Sequence, residues 1–217
     1  MRETVILFDL DGTLLDSTEA ILLCFEDSYE DFGLQAPERK RIKALIGHTL
    51  DFMYEHLGVE KDMVCDFVDR YKFHYRKRSK LMTKFLPRAK EAIIEASKFA
   101  RLGVVTTKTG SYSIELLKHM KVMDYFEILV GREDVVNPKP HPEPILKALH
   151  LMSVTNCSNV WMIGDTSLDM VSGREAGVET VGVCCGYGTI NQLKKSTKVI
   201  QNDTYSAVSY IKNITKA

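Results

Sequence analysis

Five short, largely apolar runs, most of them separated by stretches of helical periodicity, restrict the folds open to this chain more than any other feature. They cover residues 5–8, 103–106, 127–130, 160–163 and 180–184. Runs this short and this uninterrupted suit strands buried on both faces, as in a parallel sheet between helical layers. Helical patterns lie at 88–101, at 111–121 from Ser111, at 142–150 from Pro142, and at 167–176, where Gly177 stands at a C-cap position. Alternation of this kind predicts an α/β fold with a parallel sheet.

Residues 16–81 interrupt the alternation. They hold no convincing strand, and helix signals recur throughout. Asp16 is placed to N-cap a helix, with Glu19 at the capping-box position and Gly33 at its end. Further helices are expected over 38–46 before Gly47, over 50–57 before Gly58, and over about 60–80. The expected organisation is an α/β core of residues 1–15 and 82–217, with 16–81 inserted as a small helical domain.

Charge and cysteine content narrow the function classes. The 217 residues carry 29 basic and 29 acidic side chains, with 45% hydrophobic residues. That balance fits a globular chain and lacks the basic excess of a nucleic-acid binder. The cysteines are Cys24, Cys65, Cys157, Cys184 and Cys185, an odd number with no CxxC spacing. Reduced thiols are expected, rather than a disulfide framework or a zinc knuckle. The apolar run after Met1-Arg2-Glu3-Thr4 is too short for a signal peptide, and no run reaches the roughly 18 residues of a membrane span. The expectation is a soluble cytoplasmic protein with no membrane or nucleic-acid partner, monomeric or weakly homodimeric.

The first run ends in Asp9-Leu10-Asp11-Gly12-Thr13. Carboxylates two residues apart point the same way while the chain stays extended, and Gly12 permits a tight turn with exposed amides. A calcium-binding EF-hand loop also opens Asp-x-Asp, but it needs glycine sixth and glutamate twelfth, where this chain has Leu14 and Ala20. Three more features fall at or after the ends of later runs: Thr106 with Thr107-Lys108 behind it, Lys139 in a segment of alternating prolines, and Gly164-Asp165-Thr166-Ser167-Leu168-Asp169. In open α/β sheets, ligands bind beyond the carboxyl ends of the strands. Clustered Asp9, Asp11 and Asp165 call for a hard cation such as Mg²⁺, which takes carboxylates, waters and a substrate phosphate. Lys139 and the Thr106 hydroxyl suit a phosphoryl group, and a carboxylate there can attack phosphorus.

With these motifs in order from Asp9 to Asp169, the chain resembles the haloacid dehalogenase (HAD) superfamily of phosphohydrolases. Its Asp-Gly-Thr-Leu-Leu-Asp-Ser opening and helical insertion resemble the phosphoglycolate phosphatase branch most. The resemblance implies a Rossmann-like core with a helical cap, and Mg²⁺-dependent hydrolysis of a small phosphorylated metabolite through an aspartyl-phosphate. It makes Asp9 the nucleophile and a metal ligand, and Asp11 the acid, then the base, with its carbonyl on the metal. It gives Thr106, Thr107 and Lys139 to the phosphoryl group, Asp165 to the metal, and Asp169 to orienting metal-bound water or Lys139. Thr107 stands where the family often has asparagine or serine, and Arg88 where glycine is common.

Pyrophosphatase and β-phosphoglucomutase-like phosphotransferase activities share these groups. A dehalogenase does not need the acid that Asp11 supplies. A receiver-type phosphoacceptor module would carry its aspartate on a later strand without the insertion, and a silent regulatory relative need not retain Asp9, Asp11, Lys139 and Asp165 together. In the helical insertion, Gly47 and His48 are candidate substrate contacts, with Arg76 or Arg78 as further cations. The basic stretch 70–80 reads as a solvated helix face with its aromatics turned inward. His141 is expected to shape the proline-rich loop, and Cys184-Cys185 to end a buried strand.

Overall fold

In the computed structural model, which describes residues 4–215, the first apolar run forms strand β1 (Thr4–Phe8), buried along its whole length. The stretch Met1-Arg2-Glu3 lies outside the described residues. After β2 (Leu15–Asp16) come four helices, α1 (Thr18–Glu30), α2 (Arg39–Lys43), α3 (Leu50–His56) and α4 (Val64–Met82), then β3 (Lys84–Phe85). Alternation then resumes with α5 (Ala89–Ser97), β4 (Ala100–Val105), α6 (Gly110–His119), β5 (Ile128–Val130) and α7 (Glu143–Leu151). It continues through β6 (Val160–Gly164), α8 (Ser167–Glu175), β7 (Glu179–Val183), α9 (Ile190–Ser196), β8 (Val199–Gln201) and α10 (Thr204–Thr215). No helix among the described residues is long and apolar enough to cross a membrane.

The chain divides into two units, Ser17–Lys84 and the residues on either side of it. In the α/β unit six strands form a sheet in the order β5-β4-β1-β6-β7-β8, every pairing parallel. The order places β1 centrally, with the chain building outward first to one side and then to the other. Alternate β1 side chains serve opposite faces. Ile6 and Phe8 pack with Ala92, Ile93, Val208 and Ile211 of α5 and α10. Val5 and Leu7 pack with Ile145, Ala148 and Leu149 of α7. Each such fully buried aliphatic or aromatic side chain contributes roughly 1.5–3 kcal/mol.

Several expected boundaries move for identifiable reasons. Strand β4 begins at Ala100 rather than near 103, because 100–104 pair with the whole of β1. Asp16 ends β2 instead of capping α1, whose N-cap is Ser17 with no side-chain capping bond. Cys184 lies just beyond β7 and is exposed.

The helical unit has its own core. Helix α4 buries Val64, Phe67, Val68, Tyr71, Tyr75 and Ser79, a stripe at helical spacing. Phe25 of α1 meets the rings of Tyr54 and Tyr71 at 4.6 and 5.2 Å, and Ser28 Oγ lies 2.6 Å from Tyr54 Oη. The basic stretch therefore turns Tyr71 and Tyr75 inward, while Phe73 faces out beneath Arg70 and Lys77. Its cations meet acids in and just after α1: Arg70 Nε donates to Asp31 at 2.6 Å, and Arg78 pairs with Asp27.

Candidate active site

Beyond the carboxyl ends of β1, β4, β5 and β6 the chain delivers Asp9, Thr106, Lys139 and Asp165. Asp9 is the first residue past β1, and its amide donates to Ile163 O of β6 at 2.9 Å. Gly12 then adopts φ +88°, which a side chain resists, and the turn folds back on itself. Thr13, Leu14 and Leu15 all donate to Leu10 O, and Gly12 N donates to Leu15 O at 2.8 Å. The Gly12 and Thr13 amides are thus spent inside the turn, contrary to the expectation that they stand exposed.

Lys139 is 5% exposed, and its ammonium has three acceptors: Asp9 Oδ1 at 2.8 Å, Asp169 Oδ1 at 2.5 Å and Val105 O at 3.0 Å. An ammonium has three protons, so its donors are fully committed. Its loop is closed by Glu143, whose carboxylate accepts from Val136 N and from Asn137 N and Nδ2. These bonds hold the Glu143 carboxyl below its ordinary range. His141 belongs to the same loop: its Nδ1 accepts from Glu143 N, and its carbonyl accepts from Ser172 Oγ. Asp169 also caps α8, its Oδ2 accepting from Thr166 N and Oγ1 at 3.1 and 2.7 Å.

Asp165 is fully buried and held by both oxygens, Oδ1 by Thr13 Oγ1 at 3.0 Å and Oδ2 by Tyr187 N at 2.7 Å. The chain closes tightly here: a methyl group on Gly186 would stand 2.1 Å from Asp165 Oδ2 and 2.4 Å from Gly12 O. Asp11 points to a different partner. Its Oδ2 accepts from Lys108 Nζ at 2.5 Å, while its Oδ1 is buried with no hydrogen-bond partner among the described residues. Thr106 is buried, and its Oγ1 accepts from Lys108 N at 3.2 Å, leaving the hydroxyl proton to donate elsewhere. Thr107 follows, half-buried.

The electrostatics of this cluster are unbalanced. Burial pushes the Asp9 carboxyl up to about 7, against the lowering charge of Lys139. Burial also raises Asp165 well above its ordinary value, assisted by Asp9 and Asp169. For Lys139 burial works against the charged form, yet Asp169 and Asp9 outweigh it and lift the pKa above that of an ordinary lysine. Carboxylate oxygens of Asp9, Asp165 and Asp169 lie within 4.8 Å of one another. Four carboxylates, counting Asp11, meet two ammonium groups, Lys139 and Lys108, so a formal charge of minus two remains. An all-oxygen donor set short of one divalent charge fits Mg²⁺.

Thus Asp9, Lys139, Asp165 and Asp169 converge, while Lys108 joins Asp11 to Thr106. The roles of Lys108, Thr13 and the Tyr187 amide escaped the sequence reading. Lys108 stands two residues past Thr106, a visible signal, whereas a backbone amide carries no side-chain signature. Gly47 and His48 belong to the helical unit. Gly47 has φ +111°, and the His48 ring stacks on Phe52 at 4.1 Å. Burial and the nearby His56 lower the His48 pKa.

Residues 6–183 match the family model described as haloacid dehalogenase-like hydrolase. The chain is 31% identical over 190 residues to a phosphoglycolate phosphatase of Aquifex aeolicus, covering 86% of this chain and 87% of that one. It is also 31% identical over 184 residues to a pyrophosphatase of Bacillus pumilus, covering 82% of each. A haloacid dehalogenase-like family hydrolase from Streptococcus pneumoniae superposes with a TM-score of 0.85 at 26% identity, covering 95% of this chain and 97% of that one.

Proposed function

Because this chain belongs to the haloacid dehalogenase-like hydrolase family, we propose that it is a Mg²⁺-dependent phosphatase that passes the phosphoryl group of a small phosphate monoester to Asp9 and then to water. One observation carries this reading: a buried carboxylate at the end of the central strand is bonded to a buried lysine inside a cluster short of two positive charges. A structural aspartate pair needs no such deficit. Asp9 and Asp165 would hold the cation by their carboxylates and Asp11 by its carbonyl, and bound Mg²⁺ would supply the charge that offsets the phosphoryl oxygens.

The residues divide the work as follows. An Asp9 carboxylate oxygen attacks phosphorus, forming the aspartyl-phosphate as the bond to the leaving oxygen breaks. Asp11 gives a proton to that oxygen. It later takes one from the water that attacks phosphorus, releasing phosphate and restoring Asp9. The Thr106 hydroxyl donates to a phosphoryl oxygen, and Thr107 lies beside it as a second contact. Lys139, with all three protons committed, acts by charge and by fixing Asp9. Asp169 holds Lys139 in turn.

The preferred substrate is 2-phosphoglycolate. The helical insertion, proposed as the cap, would read the carboxylate end through Gly47 and His48. The likeness to the Aquifex phosphoglycolate phosphatase supports this choice. Pyrophosphate is the second reading, supported by a relative of equal identity. The test compares kcat/KM for 2-phosphoglycolate, pyrophosphate, hexose phosphates and nucleotides at one Mg²⁺ concentration. 2-Phosphoglycolate should lead. A tenfold lead for nucleotides, about 1.4 kcal/mol of transition-state preference, would overturn the small-substrate reading.

A further inference from the structure

Lys108 belongs to no role assigned so far, yet its ammonium lies 2.5 Å from Asp11 Oδ2. The two side chains are only 11% and 14% exposed, so water screens the pair far less than a surface ion pair. The other lysine of the site cannot serve Asp11, because Asp9, Asp169 and Val105 O take its three protons. The backbone carrying Lys108 is held from both sides. Its amide donates to Thr106 Oγ1 at 3.2 Å, and its carbonyl accepts from Arg132 N at 2.9 Å. The next turn is fixed as well, since Glu133 accepts from Gly110 N and Ser111 N. Against this anchored cation Asp11 has one committed oxygen and one buried oxygen, Oδ1, with no partner among the described residues.

We propose that Lys108 is a positioning residue that holds Asp11 by Oδ2 and thereby aims Oδ1 at the leaving-group oxygen. The inference rests on the reading of Asp11 as acid and base given above. In the first half-reaction the proton on Oδ1 passes to the leaving oxygen as its bond to phosphorus breaks. In the second, Oδ1 receives a proton from the attacking water. Lys108 neither gives nor takes a proton and does not touch the substrate. An ammonium that bound the phosphoryl group directly would matter equally for every ester. One that acts through Asp11 matters in proportion to how badly the leaving group needs a proton.

The experiment compares kcat/KM for two esters in wild type, Lys108→Met, Lys108→Gln and Lys108→Arg, with thermal melts confirming that each is folded. One ester is p-nitrophenyl phosphate, whose phenolate departs without a proton. The other is the alkyl phosphate that the wild type hydrolyses fastest. Lys108→Met and Lys108→Gln should each lose at least tenfold more on the alkyl ester than on the aryl ester, within the roughly 10²–10⁴ typical of a lost general acid. Lys108→Arg should recover most of that loss. Equal losses on both esters, or none on either, overturn the inference while Asp9-dependent turnover stands. Asp9→Asn is run alongside and should hydrolyse neither ester. If it hydrolyses both, the proposed function and this inference fall together.

Discussion

Lys139 Nζ donates to Asp9 Oδ1 at 2.8 Å although 130 positions separate them in the chain. The pair is buried, and truncating one member strands the charge of the other. Lys139→Ala should therefore lower unfolding free energy by about 3–5 kcal/mol, the usual cost of breaking a buried pair. It should also lower kcat/KM by about 10²–10³ as a preorganised charge is lost. Denaturant titration and steady-state kinetics read the two effects. Near-normal kcat/KM would make the lysine purely structural.

The raised Asp9 pKa has a defined sign in stability. In the unfolded chain an aspartate titrates near 3.9, whereas folded Asp9 holds its proton up to about 7. The unfolded state thus binds fewer protons across this window, and metal-free stability falls as pH rises through it. The Asp9 share approaches about 4 kcal/mol at 1.36 kcal/mol per unit. Metal-free Asp9→Asn should gain on the wild type by a few kcal/mol between pH 4 and pH 7 in urea titrations. Millimolar Mg²⁺ should remove most of that gain by stabilising the ionised wild type.

Thr13 Oγ1 reaches Asp165 Oδ1 at 3.0 Å across 152 positions. Thr13→Val keeps the shape and deletes the donor. It should weaken Mg²⁺ affinity by about 10–100-fold, as loss of a hydrogen bond that orients a metal-binding carboxylate does, at a stability cost of about 1–3 kcal/mol. Calorimetric Mg²⁺ titration checks this, and unchanged affinity would remove Asp165 from the metal site.

Arg88 occupies the left-handed region at φ +60°, and its guanidinium lies 3.7 Å from the Tyr205 ring centre. Strain and stacking offset each other, so Arg88→Gly should change stability by less than about 1 kcal/mol. Arg88→Val combines a β-branched side chain with the same φ and should cost about 1–3 kcal/mol. Thermal melts of the two variants give the ranking.

The sheet was legible because apolar runs such as 5–8 are buried on both faces, a condition written directly into composition. The order of the strands was not, since parallel register depends on contacts such as Phe8 with Val104 and Ile163. Beyond residue 184 the sequence reading assigned no element. There β8 has only three half-buried residues, too few for a periodic signal. At the site, Asp9, Asp11, Thr106, Lys139, Asp165 and Asp169 were legible as acids, a hydroxyl and a lysine at run ends. What holds them was not: the Tyr187 amide on Asp165 has no side-chain identity. The Lys108–Asp11 pair joins residues 97 apart in sequence through the fold alone.

In the proposed reaction Asp9 carries the phosphoryl group. Rapid acid quench of wild-type protein turning over ³²P-labelled substrate with Mg²⁺, followed by peptide mapping, locates the label. It should be an acid-stable, hydroxylamine-labile acyl phosphate on Asp9, absent from Asp9→Asn and from protein in excess chelator. Label on any other residue, or undiminished turnover by Asp9→Asn, would contradict it.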